Sequence, residues 1–169
     1  MKNSIVSILA VGLATSATAE VPVYRDQTLV IKEALVVTDD GVSYYTDIKM
    51  EANPDGSFKL VQAQRLDLAH VNDVTVEFQD APFEISVEVN GELPTPCHQL
   101  EEPVVVRDGT EFTVVLARRE LQTFVVCAQV IEPFTISVPL TNKALEAGHY
   151  TVTVNGQETA FDVDGMAAL

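Results

Sequence analysis

Phe83-Glu84-Ile85-Ser86-Val87-Glu88-Val89-Asn90 carries the clearest structural pattern of the chain. Apolar and polar residues alternate without a break. A period of two sets Phe83, Ile85, Val87 and Val89 on one face of an extended strand, and Glu84, Ser86, Glu88 and Asn90 on the other. The pattern recurs in Phe112, Val114 and Leu116, in Phe134, Ile136, Val138 and Leu140, and in Tyr150, Val152 and Val154. No long stretch carries the 3.6-residue period of an amphipathic helix, and the best helix candidate is a single turn over Asn142–Ala147.

The runs are separated by turn chemistry. Asn155-Gly156, Asp108-Gly109, Asp40-Gly41 and Asn53-Pro54-Asp55-Gly56 each stand between two alternating runs. Such dipeptides supply the positive φ that tight hairpins require. Residues 28–66 read as a three-stranded meander with Tyr44, Ile48 and Met50 on one face. Residues 70–163 hold about eight more strands by the same criteria. Short strands at regular spacing predict an all-β sandwich or barrel. The chain divides into an N-terminal meander at 20–69, a sandwich at 70–163 and a frayed tail at 164–169. The expected core is Val74, Val76, Phe83, Ile85, Val87, Phe112, Val114, Leu116, Phe124, Val126, Phe134, Ile136, Val138, Tyr150, Val152 and Val154.

The composition limits what this fold can do. Of 169 residues, 47% are apolar, enough for a core, while 10 Lys and Arg face 25 Asp and Glu for a net charge of −15. The apolar content excludes a disordered chain. The acidity argues against nucleic acid as a partner, since a phosphate backbone needs a basic face, and against a polybasic membrane anchor.

The N-terminus reads as an export signal. Met1-Lys2-Asn3 is a short positive region, Ile5–Ala14 is apolar, and Thr15-Ser16-Ala17-Thr18-Ala19 offers a small-residue cleavage site after Ala19. The apolar part is too short to span a bilayer, and no later window is long and apolar enough to do so. The expectation is a signal peptide at 1–19 and an exported chain, periplasmic or extracellular, with no membrane span. In that oxidising setting the only two cysteines, Cys97 and Cys127, form a disulfide by default. The alternative is a thiol or metal pair.

One ordered set of residues carries a family likeness. Gly91-Glu92-Leu93-Pro94-Thr95-Pro96-Cys97 is followed by Cys127-Ala128-Gln129-Val130, Pro133-Phe134 and Val138-Pro139-Leu140. Ala147-Gly148-His149-Tyr150-Thr151-Val152-Thr153-Val154-Asn155-Gly156 closes it. Over roughly 72–163 the chain resembles a family of bacterial exported proteins and lipoproteins with an Ig-like β-sandwich. The resemblance implies an Ig-like sandwich of antiparallel strands with a Cys97–Cys127 disulfide, and no catalytic residues. The chain departs from the family in lacking a lipid-attachment cysteine and in adding the meander.

A zinc or copper site needs three or four convergent ligands. Here Cys97-His98 and Cys127 are the nearest approach, without Cys-x-x-Cys or a Cys…His…Met cluster. Thiol exchange would want a low-pKa cysteine at a helix start, which is missing. Ser43, Ser57, Ser86 and Ser137 lie outside any Gly-x-Ser-x-Gly elbow, and Ser86 and Ser137 fall on wet faces of strands. The acids read as a solvated surface, and the chain has no Trp platform for a sugar. Asp162-Val163-Asp164-Gly165 begins like a calcium loop but lacks its third ligand and closing Glu. No cofactor is expected.

Two loops remain. Gly91–Gln99 contains Pro94 and Pro96, so its backbone reads as stiff and extended, and a rigid loop on a sandwich suits recognition. Arg118-Arg119 is the only basic pair; it reads as a turn between strands, set to pair with Glu101 or Glu102 or to meet an acidic partner. Leu93, Pro94, Thr95, Pro96, His98, Arg118 and Arg119 therefore form the candidate recognition surface. The functional expectation is a non-enzymatic binding or structural module of the bacterial cell envelope, its partner an unknown protein or envelope component. A periplasmic protease inhibitor is the alternative, and a metal protein using Cys97, His98 and Cys127 a lesser one.

Overall fold

The computed structural model describes residues 21–38, 41–80, 83–121, 126–141 and 143–164. Residues 1–20, which hold the expected signal peptide, fall outside the described residues, as do the tail beyond Asp164, Asp40 and Phe124. The side chain of Phe83 is also outside them. The strands in chain order are β1 (Val23–Arg25), β2 (Thr28–Thr38), β3 (Gly41–Ala52), β4 (Phe58–Leu68), β5 (His70–Asp80) and β6 (Phe83–Leu93). They continue with β7 (His98–Leu100), β8 (Val104–Asp108), β9 (Glu111–Val115), β10 (Ala117–Glu120), β11 (Glu132–Thr141), β12 (Gly148–Val154) and β13 (Gln157–Val163). Among the described residues there is no helix; Lys143–Ala147, expected as a helical turn, is irregular.

The strands form three sheets, ordered β11-β6-β5, β13-β12-β9-β8 and β1-β2-β3-β4-β10-β7. The first two enclose one apolar core. Ile85, Val87 and Val89 of β6, Val138 of β11, Phe112 and Val114 of β9 and Val152 and Val154 of β12 are all at most 2% exposed. Val74, Val76, Phe134 and Ile136 pack against them half-buried. This is the β-sandwich that the alternation predicts. Each such side chain contributes roughly 1.5–3 kcal/mol by leaving water.

Three expectations are corrected. Val126 is fully exposed rather than in the core. Ser86 is buried at 7%, not on a wet face, because β6 is the central strand of its sheet, with Pro139 and Glu77 in register on either side. The pairing is antiparallel except that β12 and β9 run parallel, Val152 opposite Phe112.

The meander gains a strand and a seam. β1 joins β2 through Asp26 and Gln27, both at positive φ of 50° and 60°. That is hairpin geometry without the Asn-Gly or Asp-Gly that announces it. At the far end of β4, Ala117 and Arg118 of β10 pair with Leu68 and Asp67, so the meander's sheet continues into strands from the C-terminal part. Tyr44 and Leu66 pack there on Val115 and Ala117, with Leu35, Val42, Leu68 and Val104 around them. The segment Phe112–Ala117 thereby serves two cores: Phe112, Val114 and Leu116 face the sandwich, while Val115 and Ala117 face the meander.

Asn155 fastens this junction. Its φ of 47° beside Gly156 at 94° makes the expected tight turn between β12 and β13. Its side chain does more. Nδ2 donates to the carbonyls of Ala69 (2.9 Å) and Leu116 (2.8 Å), and Oδ1 accepts the Leu116 N–H at 3.0 Å. The backbone between β9 and β10, which lies outside the sheet ladders, is thus satisfied. The Asn53–Ser57 turn is closed similarly: the Ser57 hydroxyl and N–H both donate to Asp55 Oδ1, which holds that carboxyl below its ordinary value.

Candidate functional site

The two loops singled out in the sequence meet in space. β7 pairs antiparallel with β10, with Arg118 opposite Leu100, Arg119 opposite Gln99 and Glu120 opposite His98. Arg118 and Arg119 therefore lie on a strand rather than in a turn. The Cys97–Cys127 disulfide, with Cα atoms 5.9 Å apart, ties the residue before β7 to the segment that leads into β11. Both sulfurs are engaged in that bond, so neither is a thiolate ligand or nucleophile.

The proline loop is compact. The His98 N–H donates to the Thr95 carbonyl at 3.1 Å, closing a turn over Thr95–His98. Thr95 Oγ1 accepts the Cys97 N–H at 3.3 Å and lies 2.9 Å from His98 Nδ1. The expected extended backbone is corrected to a tight turn, wired from within by the hydroxyl of Thr95. Leu93 and Thr95 are buried and hold the loop; Pro94 and Pro96 are exposed; His98 and Arg118 are half-buried.

The arginines are partly answered by acids. Arg118 Nη2 donates to Asp67 Oδ2 at 3.3 Å, and Arg119 Nε lies 2.7 Å from Glu101 Oε1, one of the two acids expected for it. Both pairs are partly exposed and contribute under about 1 kcal/mol each. Behind them the Tyr44 hydroxyl donates to Glu33. Burial, then that bond and the charges of Glu33 and Glu101, push the phenol well above its ordinary value; Arg119 opposes this.

Two clefts open on this face. The larger, about 660 Å³, is lined by Gln64, Arg65, Asp67, Arg118, Arg119 and Glu120 among others. The smaller, about 430 Å³, is bounded by Leu68, Ala69, Leu93, Pro94 and Ile131, with His70 and Glu92 at its polar rim. Arg118 lines both. Sequence reasoning missed Arg65, Asp67, Leu68, His70 and Ile131. They come from β4, β5 and the approach to β11, and no spacing in the chain links them to Arg118.

Other candidates stay apart. His149 Nδ1 pairs with Asp162 Oδ1 at 2.8 Å on the exposed β12–β13 hairpin, so Asp162 is engaged with a neighbour across the strands. Among the described residues no group of three or more His, Cys, Asp or Glu converges as a metal site. Among the same residues no helix is long and apolar enough to cross a membrane.

Residues 87–163 match the family model described as ORF11 beta-sandwich domain. The match runs from the middle of β6 to the end of β13, so it takes in the stapled turn, β10 and the Asn155 hairpin and leaves out β1–β5. No curated protein and no solved structure matches the chain.

Proposed function

We propose that this chain is an exported, non-catalytic binding or structural module of the bacterial cell envelope, and that it meets its partner through the face around the stapled turn. The observation that carries this reading is that β7, which follows the stapled turn, pairs with β10, so that Pro94 of that turn and Arg118 of β10 line one cleft and Arg118 a second. A rigid scaffold that presents fixed loops is the usual architecture of a recognition surface. The β-sandwich match supports a structural or binding role, and the N-terminal leader supports export. The tight turn at Thr95–His98 does not offer the extended backbone that a protease cleft takes, so binding is preferred to protease inhibition.

The test is partner capture from envelope extracts on immobilised, disulfide-bonded chain, in parallel with cell fractionation. Wild type should capture a specific partner, and the Pro94→Ala/Pro96→Ala variant should lose it while melting at the same temperature. A chain found in the cytoplasm with Met1 still in place, or capture indifferent to both prolines, overturns the reading.

A further inference from the structure

Resting on that reading, we propose that the face around Arg118 binds an extended peptide segment of the partner in which an apolar side chain stands beside a carboxylate. The two clefts differ in chemistry and share one residue. On one side of Arg118 stand Arg65 and Arg119; on the other stand Leu68, Leu93, Pro94 and Ile131. Three of the chain's 10 basic residues thus line one cleft of a molecule whose net charge is −15.

Their donors are not used up. Among the described residues the Arg65 side chain makes no ion pair or hydrogen bond. Arg118 Nε is buried without a hydrogen-bond partner among them, while Nη2 of the same guanidinium reaches Asp67. A guanidinium presents five N–H donors in a planar fork, and a carboxylate is the acceptor that matches it. The acids in the cleft, Asp67 and Glu120, leave Arg65 as the open cation. Ile131, which lines the apolar cleft, is 63% exposed, and its chain neighbour Val130 is 55% exposed.

Size and field choose the occupant. A single phosphate would fill a small part of one cleft and leave the apolar one unused. A polyanion such as nucleic acid would be repelled by the rest of the surface. A short peptide brings one or two charges and a side chain for the second cleft.

The probe is a fluorescein-labelled eight-residue peptide alternating leucine and glutamate. It is titrated into the ¹⁵N-labelled, disulfide-bonded chain by anisotropy and amide shifts. Controls carry lysine for glutamate, or serine for leucine, and inorganic phosphate is a third arm. The expected result is saturable binding with shifts in β4, β10 and around Ile131, weakened about tenfold by Arg65→Glu and several-fold by Ile131→Ser. Both positions are exposed, so both variants should fold, and unchanged melting verifies it. The proposal is overturned if the lysine peptide binds equally well, if Arg65→Glu has no effect, or if millimolar phosphate alone reproduces the shifts and displaces the peptide. Partner capture separates the two failures: capture retained by Arg65→Glu but lost by Pro94→Ala/Pro96→Ala removes this inference and leaves the binding reading standing.

Discussion

At the scale of single residues, Asn155 and Gly91 carry more than their types announce. Asn155 supplies a left-handed turn, and its amide also makes three hydrogen bonds to Leu116 and Ala69. Asn155→Gly separates the two duties, because glycine keeps the turn and drops the amide. We expect a loss of about 2–3 kcal/mol in urea unfolding, the scale of a partly buried N–H and carbonyl left without partners. A loss near zero would show that water takes over. A Cβ on Gly91 would lie 2.3 Å from the His70 carbonyl and 2.4 Å from the Phe134 ring. Gly91→Ala should therefore cost at least about 1–3 kcal/mol, the range for overpacking, visible as a lower melting temperature. Tyr44 gives a pH test. Its folded-state phenol is raised above the ordinary value, chiefly by burial and then by Glu33. The stability it contributes is complete below the unfolded phenol pKa of about 10 and is lost as pH rises beyond it. The gap in melting temperature between wild type and Tyr44→Phe should narrow or invert from about pH 9 to pH 11; a gap independent of pH would refute this account.

At the scale of elements, the disulfide and β7 act as one unit. β7 has three residues, too few to hold a sheet edge alone. Its position depends on β10, on the Thr95 turn before it and on the bridge from Cys97 to Cys127. The bridge closes a loop with a sequence separation of 30 residues. On the chain-entropy model that constrains the unfolded chain by about 3–4 kcal/mol. Cys97→Ser/Cys127→Ser should melt about 10 °C lower, by the usual conversion of free energy to temperature for a chain of this size. Amide exchange should speed up first in β7 and its pairing with β10, and a uniform rise across all three sheets would refute the local role of the staple. The turns show what was legible here. Asn155-Gly156 and Asn53–Gly56 announced their hairpins, whereas Asp26-Gln27 makes one through positive φ that its residue types do not advertise.

At the scale of the whole molecule, the seam at Phe112–Ala117 joins two apolar cores. Alternation in Phe112, Val114 and Leu116 was readable, but Val115 and Ala117 are buried as well, at 1% and 2%. A segment buried on both faces loses the polar half of its pattern, so its second partner leaves no mark in the sequence. A fragment beginning at His70 would leave Val115 and Ala117 without Tyr44, Leu66 and Leu68 to cover them. It should express less soluble protein and melt well below the full chain; equal melting would show that the meander's sheet adds nothing to the sandwich. The recognition face belongs to this scale too, because it exists only where β4, β6, β7 and β10 come together.

Local pattern in the chain specifies the class of structure and its punctuation. A period of two with an apolar face can be satisfied only by strands that pack their faces together, and glycine and asparagine turns locate the hairpins. It also carried the stapled turn and the Arg118-Arg119 pair as separate candidates. Three-dimensional packing is what pairs β7 with β10, sets Arg118 between two clefts, brings Arg65 to one and Ile131 to the other, and lets Asn155 pin the crossover. The physical reason is range: periodicity and turn chemistry act over a few residues, whereas these contacts join positions such as Ala69 and Asn155, which are 86 residues apart.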